Sequence, residues 1–100
     1  MSESPTQLTL DYMRKVGWAC WIVEKWNAHA KVRQDCYGFA DVLAFHINHG
    51  IALVQTTTAS NMAARRKKIQ QNVYAGEWKK AGGLILLHGW KDGGLREERL

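Results

Sequence analysis

The sequence contains few of the residues and segments that mark secreted or membrane-bound proteins. Its 100 residues include one proline and two cysteines, Cys20 and Cys36, which are widely spaced and form no CxxC pair. We therefore expect free thiols in a reducing compartment. No apolar run approaches the ~20 residues that span a bilayer, and residues 1–5 have neither the basic nor the apolar region of a secretory signal. These absences predict a cytoplasmic protein that does not bind membranes.

Acidic residues are outnumbered by basic ones. There are 9 Asp and Glu against 14 Lys and Arg, which gives a formal net charge of +5 with neutral histidines. This excess favours polyanionic partners, nucleic acid above all; the alternative is a basic surface that serves solubility only. Hydrophobic residues make up 46%, and no repeat, low-complexity tract or interdomain linker is visible. The chain is therefore predicted to be one domain over residues 1–100, with its core at about 8–90 and a short C-terminal tail at 91–100.

The single proline marks the start of the first predicted helix. In Ser4-Pro5-Thr6-Gln7, serine is the N-cap, proline takes the first helical position and glutamine completes a capping box. Apolar residues then recur at helical spacing, at Met13, Val16, Cys20 and Val23. This periodicity predicts a helix that runs to about Trp26, which Gly17 weakens without ending. Glu24 lies at the edge of its apolar stripe.

Two short apolar strands follow, and they organise the rest of the chain. Residues 38–45 and 51–58 are joined by a turn-forming segment, so they predict an antiparallel hairpin. Both faces of the first strand are apolar, which predicts a central strand that is covered on both sides. The second strand ends in Gln55 and Thr57, which share a face with Leu53. Polar side chains on an apolar face cost free energy unless they have partners or a function, so this pair is the first candidate for a site.

The remaining segments complete an α/β pattern. Residues 30–35 alternate in polarity and are predicted to form an edge strand or an extended arm. Residues 62–81 are predicted to be one helix, which carries a basic cluster and ends at a pair of glycines. A short buried strand is predicted over 84–88, and 95–100 is predicted to be one helical turn or a frayed tail. The five tryptophans are expected mainly in the core.

The order and spacing of these features resemble the PD-(D/E)XK nuclease superfamily, which has the restriction-endonuclease-like fold. The helix predicted to carry Glu24 precedes a Gly-x-x-Asp strand, from Gly38 to Asp41. A Gln-x-Thr strand end, from Gln55 to Thr57, comes next, followed by a basic helix and a last strand. VRR-NUC domains and archaeal Holliday junction resolvases are the most similar members. The resemblance covers roughly residues 18–90 and implies a three-layer αβββαβ core, in which helices flank a central mixed four-stranded sheet.

The same resemblance implies a metal-dependent nuclease that hydrolyses phosphodiester bonds in DNA, including branched or flapped structures. Asp41, Gln55 and Glu24 would hold Mg²⁺ or Mn²⁺, a hard cation that binds the scissile phosphate and lowers the pKa of the attacking water. Thr57 stands where the family carries a lysine, and Arg65 on the next helix is the expected replacement. The residues expected to contact nucleic acid are Arg33, Arg65, Arg66, Lys67 and Lys68. A homodimer is a further implication.

Each of these residues also has an ordinary structural interpretation. Glu24 is then a boundary residue paired with a lysine or arginine, Asp41 caps a turn, residues 55–58 are a β-prone strand end and 65–68 are a solvated helix face. The Gln-x-Thr departure leaves open a second function, a catalytically weak or inactive nuclease-fold domain that binds nucleic acid. A third is an interaction protein whose partner is another chain. Tyr74 and Trp90 are candidates for stacking on unpaired bases.

Overall fold

The computed structural model describes residues 3–100 and shows, within that range, three helices and seven strands. Met1 and Ser2, which the single-domain prediction includes, lie outside the described residues. The helices are α1 (Pro5–Lys15), α2 (Met62–Gln70) and α3 (Val73–Lys80). The strands are β1 (Ala19–Ile22), β2 (Lys25–Asn27), β3 (Val32–Gln34), β4 (Val42–His46), β5 (Gly50–Thr58), β6 (Leu84–Lys91) and β7 (Gly94–Arg99).

Five of the strands form one mixed sheet in the order β1-β4-β5-β6-β7, while β2 and β3 form a separate antiparallel hairpin. The neighbours β5 and β6 are parallel, and the other pairs in the large sheet are antiparallel. The predicted α/β class and the mixed sheet are therefore confirmed. The sheet has five strands where the resemblance implied four.

The helix α1 begins where the sequence predicts and ends much earlier. Ser4 Oγ accepts a hydrogen bond from Gln7 N at 3.2 Å, as an N-cap should. The helix stops at Lys15 because Gly17 adopts φ +100°, a left-handed conformation that glycine reaches without a steric penalty. Trp18 N then donates back to Met13 O at 2.9 Å, which closes a Schellman motif. The predicted helix to Trp26 is therefore wrong.

The chain after this cap forms β1, an edge strand that pairs antiparallel with β4. Glu24 consequently lies in the short link between β1 and β2 and not on a helix. The polar stretch 30–35 contributes β3, which pairs with β2 and not with the large sheet. The expectation of a strand there is confirmed, and the structure adds the partner strand.

The predicted hairpin is confirmed as β4 and β5. Val42 pairs with Val54 and Phe45 with Ile51 across an antiparallel ladder. The chain then crosses over through α2 and α3 to β6, which lies parallel to β5. No helix in the described part of the chain is long and apolar enough to cross a membrane.

The single helix predicted over 62–81 is interrupted in the middle. α2 ends at Gln70 and α3 begins at Val73, because Asn72 uses its side chain as a cap. Its Oδ1 accepts hydrogen bonds from the backbone N–H groups of Tyr74 and Ala75, at 2.8 and 3.1 Å. Asparagine competes with helix continuation in this way. Its Nδ2 donates to Tyr37 O at 2.9 Å, so the same residue ties α3 to the loop before β4.

Helices lie on both faces of the sheet and build two apolar clusters. On one face, α1 supplies Leu10 and Met13, which pack with residues of β4, β5 and β6. On the other face, α2 and α3 supply Met62, Ile69 and Ala75, which pack over the β5 and β6 strands. The parallel pair β5–β6 is therefore covered on both sides, as parallel strands usually are.

The helices α2 and α3 leave the β1–β4 end of their face uncovered. Four apolar side chains of one sheet face are exposed there; we call them the open apolar face: Trp21, Leu43, Phe45 and Ile51. Trp21 is 72% exposed and Phe45 61%. The prediction that β4 is covered on both sides is therefore wrong at this end. The physical reason is that α2 and α3 are short and pack on β5 and β6. The prediction that the tryptophans lie mainly in the core is also wrong, because Trp21 and Trp26 are exposed and the other three are half-buried.

The C-terminal segment forms β7 and not the predicted helical turn or frayed tail. Asp92 and Gly93 both have positive φ, at +51° and +77°, as the central residues of a type I′ hairpin turn require. The chain therefore reverses directly after β6, and β7 pairs with it from Lys91–Gly94 to Leu86–Arg99. An Asp-Gly pair between two strands is a strong hairpin signal.

The strand β7 also completes a buried polar network around His88. Trp90 Nε1 donates to Thr9 Oγ1 at 2.9 Å, and that hydroxyl lies 3.0 Å from His88 Nδ1. His88 Nε2 lies 2.7 Å from Glu97 Oε2. A neutral His88 with its proton on Nε2 satisfies all of these groups. Burial lowers the pKa of His88, and the hydrogen bond with Glu97 opposes that shift.

Gly89 on β6 provides a test of how α2 packs on the sheet. A Cβ at this position would lie 2.2 Å from Met62 Sδ and 3.2 Å from the Cα of Ala59, and Met62 is buried. We therefore expect Gly89→Ala to lower the free energy of unfolding by about 1–3 kcal/mol in urea denaturation. Gly76→Ala is the matched control: its Cβ meets open space in α3, so the substitution should raise the free energy of unfolding by about 0.5–1 kcal/mol. Equal effects of the two substitutions would contradict this packing.

Candidate functional site

Three carboxylates meet where the β2–β3 hairpin joins the large sheet. They come from Glu24 in the β1–β2 link, Asp35 after β3 and Asp41 before β4, and each offers one oxygen within 4.8 Å of the other two. The backbone brings them together. Cys36 and Ala40 exchange hydrogen bonds of 2.8 and 2.9 Å, so the loop that separates Asp35 from Asp41 is closed on itself. Val23 N donates to Asp41 O at 3.0 Å, which holds the β1–β2 link beside Asp41.

Asp41 is buried, and the strand β5 supplies its hydrogen-bond partners. Its Oδ2 accepts from Gln55 Nε2 at 2.8 Å and from Thr56 N at 2.8 Å. Thr56 Oγ1 donates to the same oxygen at 3.1 Å. These bonds fix the orientation of the carboxylate against the second strand of the hairpin.

The environment of Asp41 disfavours its negative charge. The pKa of Asp41 is raised from 3.8 to about 7, and burial is the largest cause. The hydrogen bond from Thr56 N opposes this rise, while the neighbouring charges of Asp35 and Glu24 contribute to it. The other two carboxylates therefore repel the charged form of Asp41, and a bound cation would relieve that repulsion.

Gln55 adds an oxygen that lacks a partner. The residue is 2% exposed, its Nε2 donates to Asp41 Oδ2 and to Thr56 O, and its Oε1 has no hydrogen-bond partner among the described residues. A buried acceptor without a partner costs about 1–3 kcal/mol. A half-turn of the amide would place Oε1 beside Asp41. That arrangement is favourable only when a cation or a proton lies between the two oxygens.

Glu24 has a second contact, an ion pair with Arg33 on β3. Arg33 Nη1 lies 2.8 Å from Glu24 Oε1. The structural interpretation of Glu24, as a boundary residue paired with a basic side chain, is therefore confirmed. This pair also places a guanidinium directly beside the three carboxylates.

A cleft of about 660 Å³ opens next to the cluster and is lined by basic side chains. Lys25 and Arg33 come from the hairpin and Lys68 from α2, while Asp35 and Tyr37 lie on the loop before β4. Positive charge within such a cleft attracts phosphate groups. The cleft thus joins a basic surface to an acidic centre.

The other basic residues of α2 have different surroundings. Arg65 is half-buried and lies three residues after Met62, on the stripe of α2 that faces the sheet. Arg66 makes a two-pronged ion pair with Glu98 on β7, with Nε 2.7 Å from Oε2. Lys67 is exposed, and Lys68 alone among residues 65–68 lines the cleft. The basic cluster is therefore divided between a structural pair, the helix surface and the cleft.

Thr57 lies two residues beyond Gln55 on the same face of β5 and is buried. Its hydroxyl can form hydrogen bonds but supplies no positive charge. Asp35 and Lys25 are site residues that sequence reasoning missed. Gly38 is the local turn signal between Asp35 and Asp41, but the tyrosine before it does not indicate the type I′ turn that brings the two carboxylates together.

These groups can hold a hard divalent cation, because carboxylate and amide oxygens are the ligands that such ions prefer. The cluster offers Glu24, Asp35 and Asp41, and Gln55 would add its oxygen after a half-turn of its amide. Comparisons with protein-family models, with curated proteins and with solved structures found no match for this chain.

The raised pKa of Asp41 predicts how pH affects stability in the metal-free protein. Between pH 4 and 7 the unfolded chain loses this proton while the folded protein keeps it, so this carboxyl group makes the folded state less stable as pH rises. Asp41→Asn keeps an acceptor for Gln55 and Thr56 and removes the titration. We expect the variant to gain on the order of 2–4 kcal/mol over wild type between pH 4 and 8, measured by urea denaturation in EDTA.

His88 has the opposite pH dependence, because its lowered pKa destabilises the folded protein in acid. It is present in both proteins, so it cancels in the comparison of Asp41→Asn with wild type. At pH 8 the addition of Mg²⁺ should stabilise wild type and leave the variant unchanged. Parallel pH profiles for the two proteins would contradict the buried, repelled state of Asp41.

Proposed function

We propose that this chain is a small metal-dependent nuclease of the PD-(D/E)XK type, which hydrolyses phosphodiester bonds in DNA. The observation that carries the proposal is the meeting of Glu24, Asp35 and Asp41 within 4.8 Å of one another. Gln55 contacts Asp41 through Nε2, and a half-turn of its amide would bring its buried, unpartnered oxygen to the cluster. A cleft with three basic side chains adjoins this centre. Acidic ligands for a cation next to a basic path for phosphates suit phosphodiester hydrolysis.

The chain topology supports the same proposal. When the β2–β3 hairpin and β7 are set aside, the remaining helices and strands follow one another as α1, β1, β4, β5, α2, α3 and β6. This order is αβββαβ if α2 and α3, which Asn72 separates, are taken as one interrupted helix. The three strands β1, β4 and β5 are antiparallel neighbours, and β6 is added parallel to β5. Helices cover both faces of the β5–β6 pair. This order is compatible with the core that the resemblance implies, and it supports the proposal; the β2–β3 hairpin and the fifth strand are additions to that core.

The residues of the site fit Mg²⁺ or Mn²⁺. Asp41, Glu24 and Gln55 would hold the cation, and Asp35 supplies the negative charge that the neutral amide of Gln55 lacks. When bound, such a cation polarises the scissile phosphate and lowers the pKa of the attacking water. The raised pKa of Asp41 supports this assignment, since a nearby cation would stabilise its charged form.

The chain's own residues would orient the substrate and stabilise charge. Lys25, Arg33 and Lys68 line the cleft and would bind the phosphodiester backbone. Arg65, on the sheet-facing stripe of α2, is the proposed substitute for the family lysine. Thr57 would contribute a hydrogen bond only.

Cleavage of labelled DNA tests this proposal. We expect wild type to cut duplex, flapped or four-way DNA with Mg²⁺ or Mn²⁺, and Asp41→Asn and Glu24→Gln to lower the rate at least about 100-fold. Arg65→Ala should lower it on the order of 10²-fold, which is the usual effect of removing one group that stabilises developing charge. Lys80→Ala, at an exposed position on α3, is the control and should cut like wild type. If wild type cuts none of these substrates with either metal, the nuclease proposal is refuted.

A catalytically inactive domain that binds nucleic acid is the second candidate. Two observations favour it: Thr57 carries no charge, and Glu24 is engaged in the ion pair with Arg33. In this case the basic cleft binds the phosphate backbone and the acidic cluster has no catalytic role. The two candidates share the cleft and differ only in what happens at the scissile bond.

The salt dependence of binding tests the cleft in both cases. Each phosphate contact that is lost should reduce the slope of log affinity against log salt by about 0.7–0.9. We expect Lys25→Ala and Lys68→Ala each to reduce the slope by this amount in fluorescence anisotropy titrations with labelled DNA. Lys79→Ala on α3, which does not line the cleft, is the control. Slopes that stay unchanged in the cleft variants would place the binding surface elsewhere.

A second copy of this chain is the other partner that the resemblance implies, and the open apolar face supports it. Trp21 and Phe45 offer roughly 250 Å² of exposed aromatic surface, since such side chains cover about 150–250 Å² each. A standard interface buries ~800 Å² per partner, to which Leu43 and Ile51 also contribute. The face is uncharged, so two positively charged copies can meet there. A monomer mass in light scattering would exclude this pairing.

A further inference from the structure

Tyr37 lies in a backbone conformation that its side chain does not favour. Its φ is +55° and that of Gly38 is +83°, and Phe39 N donates to Cys36 O at 3.2 Å, so the two residues are the centre of a type I′ turn. Asparagine, aspartate and glycine are the residues that such a turn prefers at its first central position. A left-handed conformation costs other residues about 1–2 kcal/mol. For a bulky side chain it is a true outlier, of the kind that clusters at functional sites.

The ring of Tyr37 is nevertheless held on the surface by specific contacts. Its centroid lies 5.3 Å from that of Tyr74 on α3, with an angle of 37° between the planes. Asn72 Nδ2 donates to Tyr37 O at 2.9 Å, which fixes the turn against α3. The two tyrosines remain 54% and 52% exposed. Burial of the ring therefore does not explain why a tyrosine occupies this turn.

The position of this pair indicates what it contacts. Tyr37 lines the cleft together with Lys25, Arg33 and Lys68, and Asp35 from the acidic cluster lies two residues before it. Basic side chains that track a phosphate backbone, next to aromatic rings with free surface, are the parts of a site for single-stranded nucleic acid. Bases within a duplex are already stacked on their neighbours, so an exposed ring contacts base faces only where pairing is interrupted.

We propose that the cleft binds a nucleic-acid strand with unpaired bases, one of which stacks on Tyr37 with Tyr74 supporting that ring. The inference rests on the proposed function for the role of the cleft, and it adds the substrate class: single strands and the unpaired arms of flapped or branched structures. The phosphates lie along Lys25, Arg33 and Lys68. The stacked base positions the neighbouring phosphodiester toward the carboxylate cluster.

Binding in EDTA tests the proposal without cleavage. The probes are a labelled single-stranded DNA 12-mer, the RNA of the same sequence, the blunt DNA duplex and a 12-mer of abasic sites. Tyr37→Asn suits the left-handed turn, so we expect a melting temperature equal to or above that of wild type. Its affinity for the single strand should fall about 5–100-fold, the size of one lost stacking contact. Its affinity for the duplex and the abasic strand should not change.

Two further variants separate stacking from other effects. Tyr37→Phe keeps the ring and should bind single strands like wild type, while Tyr74→Ala should weaken single-strand binding without affecting the duplex. Comparison of the DNA and RNA strands identifies the sugar that the site accepts. A selective loss of affinity for either single strand in Tyr37→Asn supports the stacking contact. If Tyr37→Asn loses affinity equally for the single strand, the abasic strand and the duplex, the stacking proposal is overturned. The same holds if it loses affinity for none of them. Failure of wild type to bind any single strand would also overturn it.

The outcome is distinguishable from that of the nuclease proposal. If Tyr37→Asn selectively weakens single-strand binding while wild type cuts no DNA with Mg²⁺ or Mn²⁺, the stacking site stands and the enzyme fails. If wild type cuts and Asp41→Asn does not, but Tyr37→Asn binds every probe normally, the enzyme stands and the stacking site fails.

Discussion

The burial of the Asp41 carboxylate is the constraint on which the site and much of the sheet depend. Its oxygen Oδ2 collects donors from Gln55 and Thr56, and its backbone N–H donates to Val54 O at 2.9 Å, so one residue secures the start of β4 against β5. The same burial makes its charge unfavourable, and two further carboxylates increase the repulsion. The hydrogen bonds that fix Asp41 against the hairpin thus also hold the carboxylate where the proposed cation would bind. Structure and proposed chemistry therefore share these groups.

The part of the site that could be predicted is the part encoded locally. Strand alternation and the hairpin register place Gln55 across from Asp41, because Val42 pairs with Val54 on the adjacent positions. Asp35 was not predicted as a site residue because its proximity to Asp41 depends on a turn in which a tyrosine takes a left-handed conformation. Tyrosine is not a residue that indicates such a turn. The position of Glu24 was wrong for a related reason: apolar spacing around Gly17 fits a helix, and the glycine instead ends it. Contacts between distant segments, such as Arg33 with Glu24, leave no periodic trace in a sequence.

The fold shows the same division between local and tertiary information. The cap at Ser4, the β4–β5 hairpin and the strand β6 were predictable from capping residues, turns and apolar runs, whereas the parallel orientation of β6 was not. The break at Asn72 was not, because Met62, Ile69 and Val73 remain compatible with one continuous helix. That break shortens the helical layer, which is why the apolar pattern of β4 does not mean burial on both faces. β7 was missed although the Asp92-Gly93 turn before it is a hairpin signal, because the following charged residues lack the apolar alternation of a buried strand.

Asn72 makes three hydrogen bonds with one side chain: two cap α3 and the third holds the carbonyl of Tyr37. Fraying of the first turn of α3 therefore cannot be independent of movement in the Tyr37 loop, since both release the same amide group. We therefore expect the opening of these two segments to be coupled. In amide hydrogen exchange the N–H groups of Tyr74 and Ala75 would report on the loop as well as on their own helix, and a ligand that steadies the loop would slow exchange at the start of α3 without touching it. Through Asn72, amide exchange at the start of α3 would therefore report on ligand binding in the cleft.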